Sequence, residues 1–410
     1  MGLFSNKKPQ TQEKIEIHEM IFCTWSDPEA ILSQLEQVFG MKSDGTGDQI
    51  TLSKEDMLIA FTVCTPEDEG EKGEYTKQQL QGVWGHFRQV ETEHLEVQRN
   101  LLHHLRMCRS MIRVYACYNA PQNPTKEEQI TAQIRNVALC VQGLLTQGMD
   151  VICDAQGMPI FDKQGNSKLE SYMPPCYPLP AVWRENAPED CDRRDRSMNL
   201  LQSKRLYAPS HLPLLGVTEA DQSRSLREVC GRAAALLVVA VYSECRLSEK
   251  MPYQEAKNFV QPIIDAYTAE EFFSPKEREY LNNPDSTEQE QIQCVWQYEN
   301  LWVLEWALGL NEDLFWPDHI CDVPASVQIM HQHPHLEDLV AAAKLRNRKE
   351  ILDNADVSYL LHWACVDARI SGLPAPQGLE EGVVMERHQV LFWLAGCDNC
   401  CDWDEIDLST

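Results

Sequence analysis

Apolar residues recur with two different periods along the chain, and the change of period predicts two domains. Between residues 15 and 170, short apolar runs typical of strands are interspersed with segments in which apolar residues recur at helical spacing. From residue 223 to residue 410, the helical spacing continues without strand-like alternation. The pattern predicts the α+β class, with an N-terminal α+β sandwich over 15–170 and a C-terminal all-helical domain over 223–410.

Residues that begin and end helices divide the N-terminal region into individual elements. Ser26 or Asp27 can cap the first helix, and Gly40 ends its apolar spacing. Predicted helices cover residues 28–39 and 127–145, and a helical region covers residues 76–109, either continuous or broken near Glu91. Predicted strands cover residues 16–23, 49–52, 57–63 and 111–118, and two strand-and-turn segments cover 151–157 and 159–165. We expect the helices to cover one face of the sheet that these strands form.

Two polar stretches lie outside the predicted domains. Residues 1–14 are predicted to be a flexible N-terminus. Prolines cluster between residues 174 and 180, and charged residues crowd positions 189–196. Because proline cannot donate a backbone hydrogen bond and fixes φ, residues 171–222 are predicted to be a proline-rich connector with an irregular path.

Composition and charge exclude several classes of protein. A chain of 410 residues with 43% hydrophobic and 24% charged residues can bury a large core without disulfides or metals. Its 63 acidic and 36 basic residues give a formal charge of −27. Such a surface repels phosphate backbones, so we expect no nucleic-acid partner. It suits instead a protein partner with a basic surface, which electrostatic attraction would steer toward it.

The N-terminal residues contain no apolar stretch that would serve as a signal peptide. The longest apolar run, at residues 233–242, is about half the length of a membrane span, so we interpret it as a buried helix. The 16 cysteines of a large chain without an export signal are interpreted as reduced thiols. We therefore expect a cytoplasmic protein with no membrane contact.

Several ordered motifs in the second half resemble a known family. They are Ser274-Pro-Lys-Glu, Trp296-Gln-Tyr-Glu-Asn-Leu-Trp-Val-Leu-Glu-Trp-Ala-Leu-Gly, Ile351-Leu-Asp-Asn-Ala-Asp, Leu361-His-Trp-Ala, Val384-Met-Glu-Arg-His and Trp393-Leu. Together they make residues 222–410 similar to the bacterial domain of unknown function 4272. The family usually ends in a Thr-Asp-Thr tail, from which the end of this chain departs. The resemblance implies no activity that can be transferred to this chain.

The tryptophan-rich segment contains the first candidate site. Trp302 and Trp306 are four residues apart and lie along one helix face, and Glu299 precedes Trp302 by three residues. A carboxylate beside such an apolar stripe loses hydration unless a cation or a hydrogen-bond donor meets it. Charged residues that can join this site are Arg232, Arg346, Glu386 and Arg387. Three interpretations are open: a buried ion-pair network, a pocket for a small molecule or peptide, and acid–base catalysis.

Asp353, Asp356 and His362 form a second candidate cluster on one predicted helix. Two carboxylates and an imidazole can hold a divalent metal ion. Both aspartates, however, lie in the first turns of the helix, where the helix dipole stabilises negative charge. The dipole accounts for them fully, so we predict no metal ion here.

Histidines and cysteines near the C-terminus form a third candidate. His331-Gln-His-Pro-His335 and the cysteines Cys397, Cys400 and Cys401 do not provide the two spaced ligand pairs of a typical zinc site. We interpret the histidine tract as a helix–helix loop. We therefore predict neither a metal ion nor a cofactor.

These observations favour a binding or interaction module over an enzyme. The helical domain is expected to recognise a protein or a small ligand through a cleft between tryptophan-bearing helices. The alternative is a hydrolase or lyase with clustered carboxylates, with or without a metal ion. Its residues would be Glu299, Asp356, Glu386 and His362.

Overall fold

A computed structural model describes residues 14–40, 42–43, 47–54, 57–119, 124–147, 150–176, 179, 181–221, 224–397 and 402–410. The chain forms two compact units, Met1–Pro175 and Cys176–Thr410. The first contains an antiparallel sheet with helices, and the second is helical, which confirms the predicted α+β class. Of the predicted flexible N-terminus, residues 1–13 lie outside the described residues, and Lys14 begins the first strand.

A seven-stranded sheet forms the centre of the N-terminal unit. Its strands are β1 (Lys14–Cys23), β2 (Gln49–Lys54), β3 (Met57–Cys64), β4 (Ser110–Asn119), β5 (Leu144–Gln147), β6 (Val151–Cys153) and β7 (Pro159–Asp162). They lie in the order β2-β3-β4-β1-β5-β6-β7, and all neighbouring strands are antiparallel. The predicted strands are confirmed, and β5 is an additional one.

Four helices cover both faces of this sheet, whereas the sequence predicted helices on one. They are α1 (Pro28–Phe39), α2 (Glu71–Gln89), α3 (Leu95–Met107) and α4 (Pro124–Cys140). Successive strand residues point to opposite faces, so Ile21 of β1 packs with α1 and α4, and Phe22 packs with α2 and α3. The side chain of Asp27 caps α1, and Gly40 ends it at a φ of 64°, as predicted.

The fourth helix ends earlier than its apolar spacing predicts. It was expected to reach residue 145, but it stops at Cys140, and Leu144 pairs with Phe22 of β1. Gly143 makes this change of direction possible, because a Cβ atom there would lie 2.5 Å from Cγ2 of Ile21. The chain can thus approach β1 closely and add a strand.

The C-terminal unit consists of helices joined by loops. The helices are α5 (Ala181–Asn186), α6 (Pro188–Ser203), α7 (Leu226–Leu247), α8 (Tyr253–Tyr267), α9 (Pro275–Leu281), α10 (Glu288–Val295), α11 (Gln297–Ala307), α12 (Val323–Gln332), α13 (Leu336–Ala342), α14 (Arg348–Ile370) and α15 (Glu381–Ala395). The helical spacing that continues through residues 288–307 belongs to two helices, α10 and α11, with Trp296 between them. Among the helices described, none combines the length and the apolar character that a membrane span requires.

The predicted irregular connector is partly helical, which corrects that expectation. Its charged stretch belongs to α6, and Met198 and Leu201 of this helix pack with Leu360 and Leu361 of α14 in one apolar cluster. The crowded charges are not all solvated, because the side chain of Arg194 is fully buried in an ion pair. Burial of a paired arginine gives α6 a core-facing side that hydrophobic spacing does not reveal.

Candidate functional site

Helix α11 is buried on almost all sides, and two of its buried side chains are acidic. Glu299 and Glu305 are at most 3% exposed. Helix α15 packs against α11 and contributes the buried side chains Glu386 and Arg387. The two helices therefore bring several ionisable groups into an environment where each needs a hydrogen-bond or charge partner.

Glu299 is only partly satisfied by its neighbours. Its Oε1 atom accepts a hydrogen bond from the backbone N–H of Cys321 at 2.5 Å. Its Oε2 atom is buried and has no hydrogen-bond partner within the described parts of the chain. Burial raises the pKa of Glu299, although the backbone N–H and the thiol of Cys321 and the positive charge of Arg387 oppose this shift. The result is a buried carboxyl group in which one oxygen has the Cys321 thiol nearby but no hydrogen bond of normal geometry among the described residues.

Arg387 contacts the other end of the segment, residues 315–321, whose Cys321 binds Glu299. Its Nη1 atom donates to the backbone carbonyl of Phe315, and the Phe315 ring stacks on Trp302 at a centroid distance of 6.3 Å. Glu299 and Arg387 thus contact the two ends of the 315–321 segment. The structure brings Glu299, Trp302 and Arg387 into one region, as the candidate site required.

Glu386 lies close to this region and has a different partner. Asn300 of α11 donates from Nδ2 to Oε2 of Glu386 at 2.5 Å. Burial, with a smaller contribution from the charge of Glu299, raises the pKa of Glu386 to about 7. Glu386 is therefore a buried acid, held between two helices, whose pKa lies close to neutral pH.

A small cavity lies beside Glu299. It has a volume of about 190 Å³, and its walls come from α7, α10, α11 and the segment that precedes α12. Leu247, Val295, Trp296 and Tyr298 are among its largely apolar lining residues, and Glu299 is the charged residue in that lining. Ile292 and Ile320 also line it, and they are 36% and 60% exposed. The cavity therefore combines an exposed apolar rim with one buried carboxyl group.

Gly382 of α15 allows the indole of Trp296 to reach this cavity. A Cβ atom at Gly382 would lie 2.7 Å from Cη2 of Trp296, which is closer than real Cβ atoms approach other atoms. We predict that Gly382→Ala lowers the free energy of unfolding by about 1–3 kcal/mol, despite the higher helix propensity of alanine. Urea denaturation followed by circular dichroism measures this change.

Gly82→Ala is the matched control for this substitution. Gly82 also lies within a helix, α2, but a Cβ atom there would meet no atom within 4 Å. We expect this variant to be as stable as the wild type or up to about 1 kcal/mol more stable. An equal increase in the free energy of unfolding in both variants would contradict the proposed contact between Gly382 and Trp296.

Arg232 and Arg346 are not partners of Glu299, which corrects the sequence-based expectation. Arg232 forms an ion pair with Glu277, and its Cζ atom lies 4.4 Å from the centroid of the Trp403 ring. Arg346 donates from Nε to the backbone carbonyl of Trp306 at 2.7 Å, close to the end of α11. Both arginines stabilise contacts between distant segments, and Arg387 is the arginine whose charge acts on Glu299.

The second candidate cluster is divided among separate partners. Asp356 pairs with Arg194 at 2.8 Å, and Asp353 pairs with Arg196 at 2.5 Å and with Lys349 at 2.7 Å. Because basic side chains neutralise both aspartates, the helix dipole does not account for them fully, which corrects the sequence-based expectation. Arg194 and Arg196 belong to α6, so only the long-range fold reveals these two partners, whereas Lys349 precedes Asp353 by four residues within α14.

His362 lies opposite a histidine that the sequence analysis did not select. Its Nδ1 atom is 2.8 Å from Nδ1 of His388. Burial lowers the pKa of His362 to about 4 and that of His388 to about 3. Both imidazoles are therefore neutral at neutral pH, and one donates a hydrogen bond to the other. The Val384-Met-Glu-Arg-His motif contained the missed residue.

Within the described part of the chain, no three histidine, cysteine, aspartate or glutamate side chains are grouped so that they could hold a metal ion. Residues 333–335 form the loop between α12 and α13, which confirms the interpretation of the histidine tract. Cys397 is buried, and Cys400 and Cys401 lie outside the described residues.

The comparison with family models identifies one match. The model of the family described as Domain of unknown function (DUF4272) matches residues 193–406. This range begins within α6, earlier than the resemblance over 222–410 predicted, and it includes every residue that lines the cavity. No curated protein and no solved structure matches the chain.

Proposed function

Because this chain belongs to the DUF4272 family, whose description assigns no activity, we propose its function from the cavity beside Glu299. The protein is an interaction module that accepts a basic side chain of a protein partner in this cavity. One observation carries the proposal: the Oε2 atom of Glu299 is buried without a hydrogen-bond partner among the described residues, at a cavity that is otherwise largely apolar.

The size of the cavity favours a single side chain over a whole metabolite. Pockets for drug-sized ligands have volumes of roughly 300–1,000 Å³. The cavity holds about 190 Å³, which suits the stem and head group of one lysine or arginine. A lysine can lay its methylene groups along Trp296 and Tyr298 while its ammonium group reaches Glu299.

The surroundings of the cavity favour a protein as the source of that side chain. Ile292 and Ile320 present exposed apolar surface at the rim, which a free amine would leave uncovered. From residue 222 onward, acidic residues exceed basic ones by 18. A field of this sign attracts a basic surface and accelerates its encounter with the cavity.

We predict that an acetylated Leu-Lys-Leu amide binds the protein at least about ten-fold more tightly than the same peptide with norleucine in place of lysine. Norleucine keeps the apolar stem but lacks the ammonium group, so the difference measures the contact with the carboxylate. In Glu299→Gln this preference for lysine disappears, because the neutral amide retains the shape of glutamate without its charge. Isothermal titration calorimetry measures both affinities.

Glu288→Gln is the matched control, since it removes the same charge from an exposed position on α10. It should retain the preference for lysine. Because burial raises the pKa of Glu299 in the free protein, binding of a cation should release a proton and strengthen as the pH rises. Equal affinity of the wild type for both peptides would refute the proposal. An equal loss of the preference for lysine in Glu299→Gln and Glu288→Gln would refute it as well. Butylamine that binds as tightly as the lysine peptide would assign the cavity to a free amine.

A hydrolase or lyase remains the second candidate, favoured by one observation. The pKa of Glu386 is raised to about 7 beside a second buried carboxyl group, Glu299, an arrangement that suits an acid–base pair. Of the other residues in that hypothesis, Asp356 is paired with Arg194 and His362 with His388. The experiment that separates the two candidates is Glu386→Gln, which abolishes turnover in an enzyme and leaves lysine-peptide binding unchanged in an interaction module.

A further inference from the structure

Two arginines in the N-terminal unit share one indole ring. The Cζ atom of Arg88 lies 5.0 Å from the centroid of the Trp84 ring, and that of Arg106 lies 5.4 Å from it. Arg88 belongs to the last turn of α2 and Arg106 to the last turn of α3. Both arginines are exposed, and Trp84 is half-buried. The ends of two helices therefore present their positive charges around one aromatic side chain.

The two helix ends are fixed relative to each other. Gln98 of α3 donates from Nε2 to the backbone carbonyls of Phe87 and Val90, at 2.8 and 2.7 Å. The apolar sides of both helices are buried beneath this contact, where Phe87 packs in one cluster with Leu101. The arginines thus extend from rigid elements, which places their side chains over the indole without a flexible loop.

Neither arginine has a carboxylate partner among the residues that the structure describes. Two exposed arginines of the C-terminal unit differ in this respect, since Arg227 pairs with Glu337 and Arg369 pairs with Glu381. The helix dipole favours positive charge at both helix ends, which explains the positions of Arg88 and Arg106. It does not satisfy their N–H groups, which remain available to an anion.

We propose that Trp84, Arg88 and Arg106 form a binding site for the phosphate groups of a small phosphorylated ligand. A guanidinium group that lies against an aromatic ring keeps its N–H edge free, and that edge matches two oxygens of a phosphate. Two such groups suit a ligand with two or more oxyanions, such as a diphosphate. The net charge of −27 repels an extended polyanion, so the ligand is a small molecule or a short phosphorylated segment rather than a nucleic acid.

Titration of the full-length protein with pyrophosphate at low ionic strength tests this site. We expect saturable binding by calorimetry, at least ten-fold weaker in Arg88→Gln and in Arg106→Gln, and progressively weaker as salt is added. Arg113→Gln is the matched control, because Arg113 is exposed in the same unit and its Cζ atom lies 5.6 Å from the Tyr75 ring centroid. It should bind pyrophosphate within two-fold of the wild type.

The source of the phosphate is distinguished by comparing ligands under the same conditions. Tighter binding of ADP than of pyrophosphate would support a nucleotide, and tighter binding of a doubly phosphorylated serine peptide would support a modified protein segment. Citrate that binds as tightly as pyrophosphate would overturn the assignment to phosphate. Absence of saturable pyrophosphate binding would refute the proposed site. An equal loss of affinity for pyrophosphate in Arg113→Gln would also refute it. Circular dichroism of each variant verifies that the fold is retained.

Discussion

Asp356→Asn is expected to lower the free energy of unfolding of the C-terminal unit by about 3–5 kcal/mol, since it removes one partner of a buried ion pair. The guanidinium of Arg194 is fully buried and contacts both oxygens of Asp356, at 2.8–3.1 Å. Its Nη1 atom donates to the backbone carbonyls of Ser210 and Leu212, at 3.1 and 2.8 Å. Asparagine keeps the shape of the side chain, so the loss reports on charge and not on a cavity. Urea denaturation measures it.

Asp353→Asn provides the matched control on the same helix. Asp353 lies one turn earlier, in partly exposed ion pairs with Arg196 and Lys349. Such pairs contribute about 0–1 kcal/mol, so this variant should be nearly as stable as the wild type. Similar losses in the two variants would contradict a special role for the buried pair. Joint replacement of Arg194 by methionine and Asp356 by leucine should recover part of the stability, because it leaves no unpaired charge but removes the donor to the carbonyls of Ser210 and Leu212.

Glu305→Gln is expected to make the protein less sensitive to alkaline pH. Glu305 is fully buried, neither carboxyl oxygen has a hydrogen bond of normal geometry within the described residues, and burial raises its pKa to about 9. The hydroxyl of Ser326 is close enough to oppose this shift slightly. The folded protein therefore keeps a proton up to about pH 9 that the unfolded chain releases above about pH 4.5.

The sign of the effect follows from that difference in bound protons. Above pH 4.5 the unfolded chain binds fewer protons than the folded protein, so stability decreases as the pH rises toward 9. Between pH 7 and pH 9 this loss amounts to about 2–3 kcal/mol for one carboxyl group. Glutamine is neutral throughout, so the stability of the variant relative to the wild type should increase by that amount over the same range.

The pH interval separates Glu305 from Glu386 and the buried histidines, and the buried thiols, whose ordinary pKa is 9, affect the variant and the wild type alike. Glu386 makes stability depend on pH mainly below its pKa of about 7. The buried histidines lower stability only on the acidic side of their ordinary pKa of 6.5. Glu312→Gln, at an exposed position just beyond α11, is the control and should follow the wild type. A difference between Glu305→Gln and the wild type that does not change with pH would contradict the assignment. Denaturation midpoints at pH 7, 8 and 9 provide the measurement.

Local signals predicted the elements of the fold well where they reflect the backbone of a single segment. The cap of α1 and its end at the left-handed Gly40 were both readable from neighbouring residues. The early end of α4 was not, because Gly143 adopts its position through contact with Ile21, which is distant in sequence. Hydrophobic periodicity also continues smoothly through Trp296, where the structure begins a new helix.

The candidate site was predictable only where its residues are neighbours within one segment. Spacing placed Glu299 beside the tryptophans and Arg387 beside Glu386, and the structure brings these residues together. Spacing could not choose among the arginines, because Arg232 and Arg346 find partners in other segments. The stretch that contains Arg194 was predicted to be an irregular connector, since nothing local indicates that a charged side chain has a partner 162 residues away.

The contact between α6 and α14 determines where the helical half of this protein can be separated from the rest. A fragment cut at residue 223 would contain the carboxylate of Asp356 without its guanidinium, and Leu360 and Leu361 would lose the apolar surface of α6. Autonomous folding of this half therefore requires a fragment that begins before Pro188. Limited proteolysis of the intact chain should accordingly spare α6 and release it together with the helices that follow.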